Sequence, residues 1–161
     1  MQSPMMWHNP WTSDGRILME SEPLKVINQY RQDDHLKPEA GGILLGYRRD
    51  KHLHIVLATV PQIGDQRRRF WFSRSSKFHQ QVATQKWGGS LGTMDYLGEW
   101  HTHPELSPTP SSLDLSEWRT IYRQRSNSMF FMILGLSGEL WVGLSDCDDF
   151  KPCKSAPLEY L

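Results

Sequence analysis

The chain is 161 residues long, 38% hydrophobic and 22% charged, with 18 basic and 18 acidic side chains in balance. These figures describe one soluble globular domain with room for one core. They exclude the charge surplus of a nucleic-acid or anionic-membrane binder. The longest apolar run, 129–136, falls far short of the ~20 residues that span a bilayer.

No basic segment leads into a long apolar run after Met1, so no signal peptide is read. Two cysteines, Cys147 and Cys153, make neither a disulfide framework nor a metal framework, and are expected as reduced thiols in the cytoplasm. Residues 1–14, with two prolines and two tryptophans, show little periodicity and read as an irregular arm. Trp7 and Trp11 would pack it onto the domain or onto a partner. The domain itself is placed at 15–145. A short strand over 16–20 is followed by Ser21 as an N-cap and Pro23 at an early helical position. Leu24, Ile27 and Tyr30 then recur at helical spacing, predicting a helix over 22–32.

Ile43, Leu44 and Leu45 form an apolar run between glycines, as in a buried strand, and Glu39 lies just before it. Residues 54–60, rich in β-branched side chains, predict a third strand and 69–72 a fourth, joined with the second in an antiparallel meander. A second helix over 75–86 puts Phe78, Val82 and Trp87 roughly on one face and stops at Gly88 and Gly89. Residues 96–100 predict a central strand that delivers His101 and His103. Pro104, Pro108 and Pro110 enforce a loop, and a third helix runs from about Ser111 to Arg125 with Leu115, Trp118, Ile121 and Tyr122 at helical spacing. A hairpin joins 129–136 to 139–145 across Ser137 and Gly138, and 146–161 reads as an irregular tail. Strands and helices mix without regular βαβ alternation, which predicts an α+β fold: one mixed, mostly antiparallel sheet with helices packed on it.

The chemistry concentrates between His101 and Asp114. Residues i and i+2 of a strand share a face, so His101 and His103 aim two imidazoles the same way. Asp114, eleven residues beyond His103 in the first turn of a helix, reaches the same point if the loop doubles back. Two imidazoles, one carboxylate and an open fourth position make a catalytic rather than a structural zinc site, and zinc lowers the pKa of its water towards ~7. Hydrolysis also needs a base for that proton, for which Glu39 is the best candidate, and a donor to the oxyanion, for which Ser111 is placed. Ser111-x-x-Asp114 also reads as a capping box, and an aspartate committed to a metal is not expected to cap fully at the same time.

The remaining candidates read as ordinary structure. His8, His35, His52, His54 and His79 are assigned to the surface. Glu99 reads as a polar strand residue that could accept from a ligand imidazole, Glu105 as solvated, and Thr102 as packing on the opposite face. The Arg67–Arg68–Arg69 run reads as a solvated strand edge or turn. Trp100, Trp118 and Trp141 read as core, and Trp71 and Trp87 as core rather than as the lining of a substrate groove.

Glu39, His101-Thr102-His103-Pro104, six further residues and Ser111-x-x-Asp114 together resemble the JAMM motif of the MPN+ zinc metalloproteases. The segment Glu39-Ala40-Gly41-Gly42-Ile43-Leu44-Leu45-Gly46 is similar to the family's stretch around its glutamate. The resemblance covers residues 16–145. It implies the MPN/JAMM fold, a cytidine-deaminase-like architecture, and isopeptidase chemistry. It also implies Glu39 as general acid/base, His101, His103 and Asp114 as Zn2+ ligands, and Ser111 as oxyanion stabiliser. Gly98-Glu99-Trp100-His101-Thr102-His103-Pro104 resembles the small bacterial branch encoded in CBASS anti-phage operons. That branch implies a protein substrate with an extended C-terminal tail, either a ubiquitin-like modifier or a conjugated cGAS-like nucleotidyltransferase (CD-NTase), and conjugation enzymes of the same operon as further partners. The charge balance and the short apolar runs point to no nucleic-acid or membrane partner. Two other classes stand beside this one: a non-catalytic MPN-type binding module, against which the full ligand set argues, and a RadC-like DNA-associated protein, against which the zero net charge argues.

Overall fold

The computed structural model describes residues 2–62, 65–68, 71–73, 76–90 and 92–158. Among them the elements run β1 (Met5–His8), β2 (Arg16–Met19), α1 (Ser21–Asn28), β3 (Gly41–Arg49), β4 (His52–Ala58), β5 (Gln66–Arg68), β6 (Trp71–Ser73), α2 (Ser76–Gly89), β7 (Asp95–Thr102), α3 (Ser112–Arg123), β8 (Phe130–Leu134), β9 (Leu140–Ser145), β10 (Phe150–Pro152) and β11 (Ser155–Ala156). Nine strands form one sheet in the order β10-β9-β8-β7-β3-β4-β2-β1-β11. Pairing is antiparallel throughout except at β2–β4 and β7–β8. The fold is therefore α+β with a mixed, mostly antiparallel sheet.

Strand β8 shows how the sheet is held. All five of its residues are buried, and alternation divides them between two clusters. Phe130, Met132 and Leu134 join Trp7, Ile17, Met19, Leu44, Ile55, Leu97 and Trp100 beneath α1, which contributes Leu24 and Ile27. Phe131 and Ile133 face the other way, onto Trp118 and Tyr122 of α3. Each large apolar side chain so buried contributes about 1.5–3 kcal/mol. On the α3 side the aromatic rings stack: Trp118 lies 4.8 Å from Phe131 and 5.5 Å from Trp141.

Both chain ends depart from the sequence-based expectation. The supposed arm contains β1, which pairs with β2 and β11, and Trp7 is 3% exposed with its ring 5.6 Å from Phe130. Burial of Met6 and Trp7 drives this segment into the sheet, although four residues are too few to show a period. The supposed irregular tail supplies β10 beside β9 and β11 beside β1, the two edges of the sheet. Its Cys153 is partly enclosed, and burial pushes the thiol up to about 12, far from a reactive thiolate.

Other elements shift. Helix α1 is shorter than expected, and its N-cap is Glu20 rather than Ser21. The Glu20 side chain makes no cap; it engages His54 Nε2 at 2.7 Å. The meander stops after β4, because β5 and β6 pair only with each other as a separate hairpin. The expected fourth strand falls partly on Arg69 and Phe70, outside the described residues, as do the start of the second helix at Ser75 and the side chains of Trp71 and Phe78. Trp87 is 55% exposed rather than core. It lines a cleft with Tyr47, Arg48 and Arg49 at the far end of β3, about 23 Å along the strand from Gly41 at ~3.3 Å per residue. The hairpin joining β8 to β9 forms as expected, with Gly138 at φ +94 in a conformation that favours glycine. No described helix is long and apolar enough to cross a membrane.

Candidate metal centre

The sheet positions the histidines. β7 pairs with β3 with Gly41 opposite His101, and the pairing continues past the strand end, because Thr102 N donates to Ala40 O at 2.9 Å. Extended by one more residue, the register sets Glu39 opposite His103. Directly opposed residues of an antiparallel pair share a face, so Glu39, His101 and His103 rise from the same side. Gly41 leaves room there: a Cβ would lie 2.6 Å from the Phe72 ring. On the opposite face the fully buried Thr102 hydroxyl accepts from Ala40 N and donates to Gln32 Oε1, both at 2.9 Å. Thr102 is thus a latch between β7 and the chain leading into β3.

Helix α3 positions the carboxylate. Asp114, Trp118 and Tyr122 are spaced by four, so they share one stripe of the helix. Stacking of Trp118 against the sheet carries Asp114 in above the histidines, and the Trp118 ring lies 5.9 Å from that of His101. Ser111 is the N-cap, and a full capping box is present. Ser111 Oγ accepts from Asp114 N at 3.1 Å, and Ser111 N donates to Asp114 Oδ2 at 2.9 Å.

The three side chains converge. His101 Nε2 and His103 Nε2 are 3.0 Å apart; Asp114 Oδ1 is 3.3 Å from the first and Oδ2 is 3.2 Å from the second. Among the described residues these three form the one group of His, Cys, Asp and Glu side chains able to hold a metal ion, with donor atoms within 4.8 Å of one another. Donors bound tetrahedrally at ~2.0–2.1 Å lie about 3.3 Å apart, so the spacing and the donor chemistry fit a small cation. The carboxylate both caps and faces the histidines: Oδ2 accepts from the Ser111 N–H and lies by His103, while Oδ1 is turned to His101.

Charge follows geometry. Burial opposes ionisation of Asp114, yet the hydrogen bonds from His101 and His103 outweigh it and hold the carboxyl well below the usual carboxylate range. Burial likewise disfavours the charged form of His103, but its hydrogen bond to Asp114 and the charges of Asp114, Glu39 and Glu105 raise its pKa overall. Glu39, 5% exposed, is pushed up to about 8, first by burial and then by Asp114 and Glu105, with His103 opposing. Its backbone is gripped on both sides: Glu39 N donates to Arg68 O at 2.6 Å, and Arg67 Nε donates to Glu39 O at 3.0 Å. The arginine run read as solvated thus includes a clamp on Glu39; Arg69 lies outside the described residues.

Three features went unread in the sequence. Glu105 is half exposed, as expected of a solvated residue, and in addition meets His103 Nδ1 at 2.9 Å; a carboxylate two residues past a ligand-type histidine was the available signal. Gln32, in what looked like a polar helix end, is fully buried and holds Thr102. His79 is fully buried rather than on the surface, between Thr59 and Asp65. Glu99 accepts from the Tyr96 hydroxyl at 2.7 Å.

Comparison with known proteins places these features in context. Residues 24–142 match the family described as prokaryotic homologs of the JAB domain. Three relatives carry the name CD-NTase/cGAS isopeptidase. One from Pseudomonas aeruginosa is 40% identical over 75% of this chain and 78% of its own. One from Escherichia coli is 36% identical over 88% and 89%, and one from Vibrio cholerae 37% over 81% and 83%. In fold the chain is similar to the solution structure of a protein from Desulfitobacterium hafniense, with a TM-score of 0.59 at 19% identity, covering 83% of this chain and 87% of that one.

Proposed function

This chain belongs to the family of prokaryotic JAB-domain homologs, and from that premise we propose that it is a metal-dependent isopeptidase that deconjugates a CD-NTase/cGAS-type protein in bacterial anti-phage defence. It is a hydrolase. Its substrate is the amide between a C-terminal carboxyl and a lysine amine, and its products are the free C-terminus and the free lysine. The substrate's extended tail lies at the sheet end, in the cytoplasm, where the conjugation enzymes of the same operon act.

His101, His103 and Asp114 hold the ion, which we assign as zinc. When bound, zinc would polarise the scissile carbonyl and make water a usable nucleophile near neutral pH. Glu39 takes the proton from the attacking water and returns it to the departing lysine amine. A carboxyl enclosed beside the histidines suits a group that must both accept and donate near neutrality. Ser111 Oγ already accepts from Asp114 N, which leaves its hydroxyl proton to donate to the oxyanion.

The observation that carries this reading is the convergence of two imidazole nitrogens and one carboxylate at tetrahedral spacing, with a buried carboxyl on the same sheet face. The test uses a purified CD-NTase conjugate, with mass spectrometry of the released termini. The unsubstituted protein should cleave and should stop on chelation. Glu39→Ala should retain one zinc per chain by elemental analysis and cleave on the order of 10²–10⁴-fold more slowly. Native-rate cleavage by that variant would falsify the mechanism, and a chain that purifies without stoichiometric metal would be a binding module instead.

A further inference from the structure

We propose that Glu105 is a positioning residue for the metal centre: its carboxylate holds the Nδ1 proton of His103 and so commits Nε2 of that ring to the ion. This inference rests on the metal-site reading above and extends it to a residue outside the family motif.

A neutral imidazole carries one proton on one of two nitrogens, and only the other nitrogen can bind a metal. His103 Nε2 is the atom that faces His101 and Asp114. The ring binds there only if its proton sits on Nδ1, and Nδ1 lies 2.9 Å from Glu105 Oε1. A carboxylate accepts and does not donate, so Glu105 favours the proton on Nδ1, and an ion taking the place of a proton on Nε2 leaves the ring in that tautomer. Such acceptors orient metal-binding histidines and raise their basicity.

The arrangement is built rather than incidental. Pro104 restrains the chain between His103 and Glu105. The Glu105 carbonyl accepts from Leu136 N at 2.7 Å, pinning the loop to the start of the β8–β9 turn. Beside it, a Cβ on Gly135 would lie 2.7 Å from that same carbonyl oxygen, so the loop presses close against this turn. The His103 side chain is 8% exposed and that of Glu105 50%. The carboxylate therefore covers the outer edge of a buried ring while remaining hydrated itself.

The test compares zinc affinity, by competition with a chromophoric chelator, for the unsubstituted protein, Glu105→Gln and Glu105→Ala. Removing the acceptor in Glu105→Ala should weaken zinc binding about 10- to 100-fold. Glu105→Gln retains an oxygen acceptor and should recover most of that loss. In the zinc-loaded protein the His103 Nδ1 proton should give a slowly exchanging NMR signal that Glu105→Ala loses and Glu105→Gln keeps. Unchanged zinc affinity and an unchanged Nδ1 signal in Glu105→Ala would overturn the positioning role while leaving the metal site standing. Failure of the unsubstituted protein to bind zinc would overturn the site and this role together. Equal weakening in both variants would also overturn it, since charge rather than tautomer would then be the cause.

Discussion

Two buried clusters among the described residues pair histidine with aspartate, and they are arranged in opposite ways. In the first, His79 of α2 lies between Thr59 and Asp65, with Nδ1 2.7 Å from Thr59 Oγ1 and Nε2 2.9 Å from Asp65 Oδ2. Each nitrogen has its own partner. Asp65 also accepts from Gln62 N at 2.7 Å, and the His79 and Asp65 side chains are both 0% exposed. The Thr-His-Asp order invites comparison with a nucleophile triad, but Thr59 is buried and its oxygen already accepts from Ile43 N. In the second cluster two Nε2 atoms and one carboxylate crowd a single point. With its Nδ1 proton facing Glu105, a neutral His103 turns a lone pair towards the lone pairs of Asp114. Either an added proton or a cation resolves that conflict. What distinguishes a candidate metal centre from a structural pin is therefore not which residues are present but whether each nitrogen has its own partner or several donor atoms share one point.

Substituting the two clusters separately sharpens this contrast. The largest effect is expected from His101→Ala, which should lose stoichiometric zinc by elemental analysis and cleave no conjugate, while remaining folded by circular dichroism. His79→Ala should do the reverse. It should keep its zinc but lose about 3–5 kcal/mol of stability in urea titration, because the buried contacts of the ring to Thr59 and Asp65 are lost. Zinc loss in His79→Ala, or none in His101→Ala, would erase the distinction.

Burial raises Glu39 from 4.5 to about 8 in the apoprotein, so folding takes up a proton between those values. Stability should fall as pH rises from 4.5 to about 8, with the penalty complete above the folded value and absent below the unfolded one. Glu39→Gln has no such proton to lose. Its advantage over the unsubstituted apoprotein should be on the order of 2–4 kcal/mol near pH 9 and close to zero near pH 4. Parallel stability profiles would show that burial is not what governs Glu39. The smallest effect belongs to Ser111→Ala, which removes one capping contact and should cost the apoprotein about 1 kcal/mol while slowing cleavage by a larger factor.

Local periodicity made part of the site legible. The two-residue spacing of His101 and His103 fixed their common face, and helical spacing marked Trp118 and Tyr122 as the buried stripe of α3, although Leu115, read on the same face, is exposed. The prolines marked the loop between them. What stayed hidden depended on contacts between distant segments. The strands at the chain ends, two to four residues long, are too short for a period, and β1 forms because Trp7 and Met6 find cover. His79 and Gln32 looked solvated because nothing local announces that a helix or a connection will close over them.

Glu39 shows the boundary most clearly. The chemical parts are written locally: an acid before a glycine-flanked strand, two histidines in phase, and a capped helix carrying an aspartate. Each follows from backbone geometry within a few residues. It took the folded chain to bring the acid, 62 positions before His101, within electrostatic reach of His103. That approach depends on the β3–β7 register, and a slip of one residue would turn Glu39 to the opposite face. The register is set by burial of Ile43, Leu44 and Leu45 and by the Thr102 latch on Ala40 N, interactions that exist only once the two strands lie side by side.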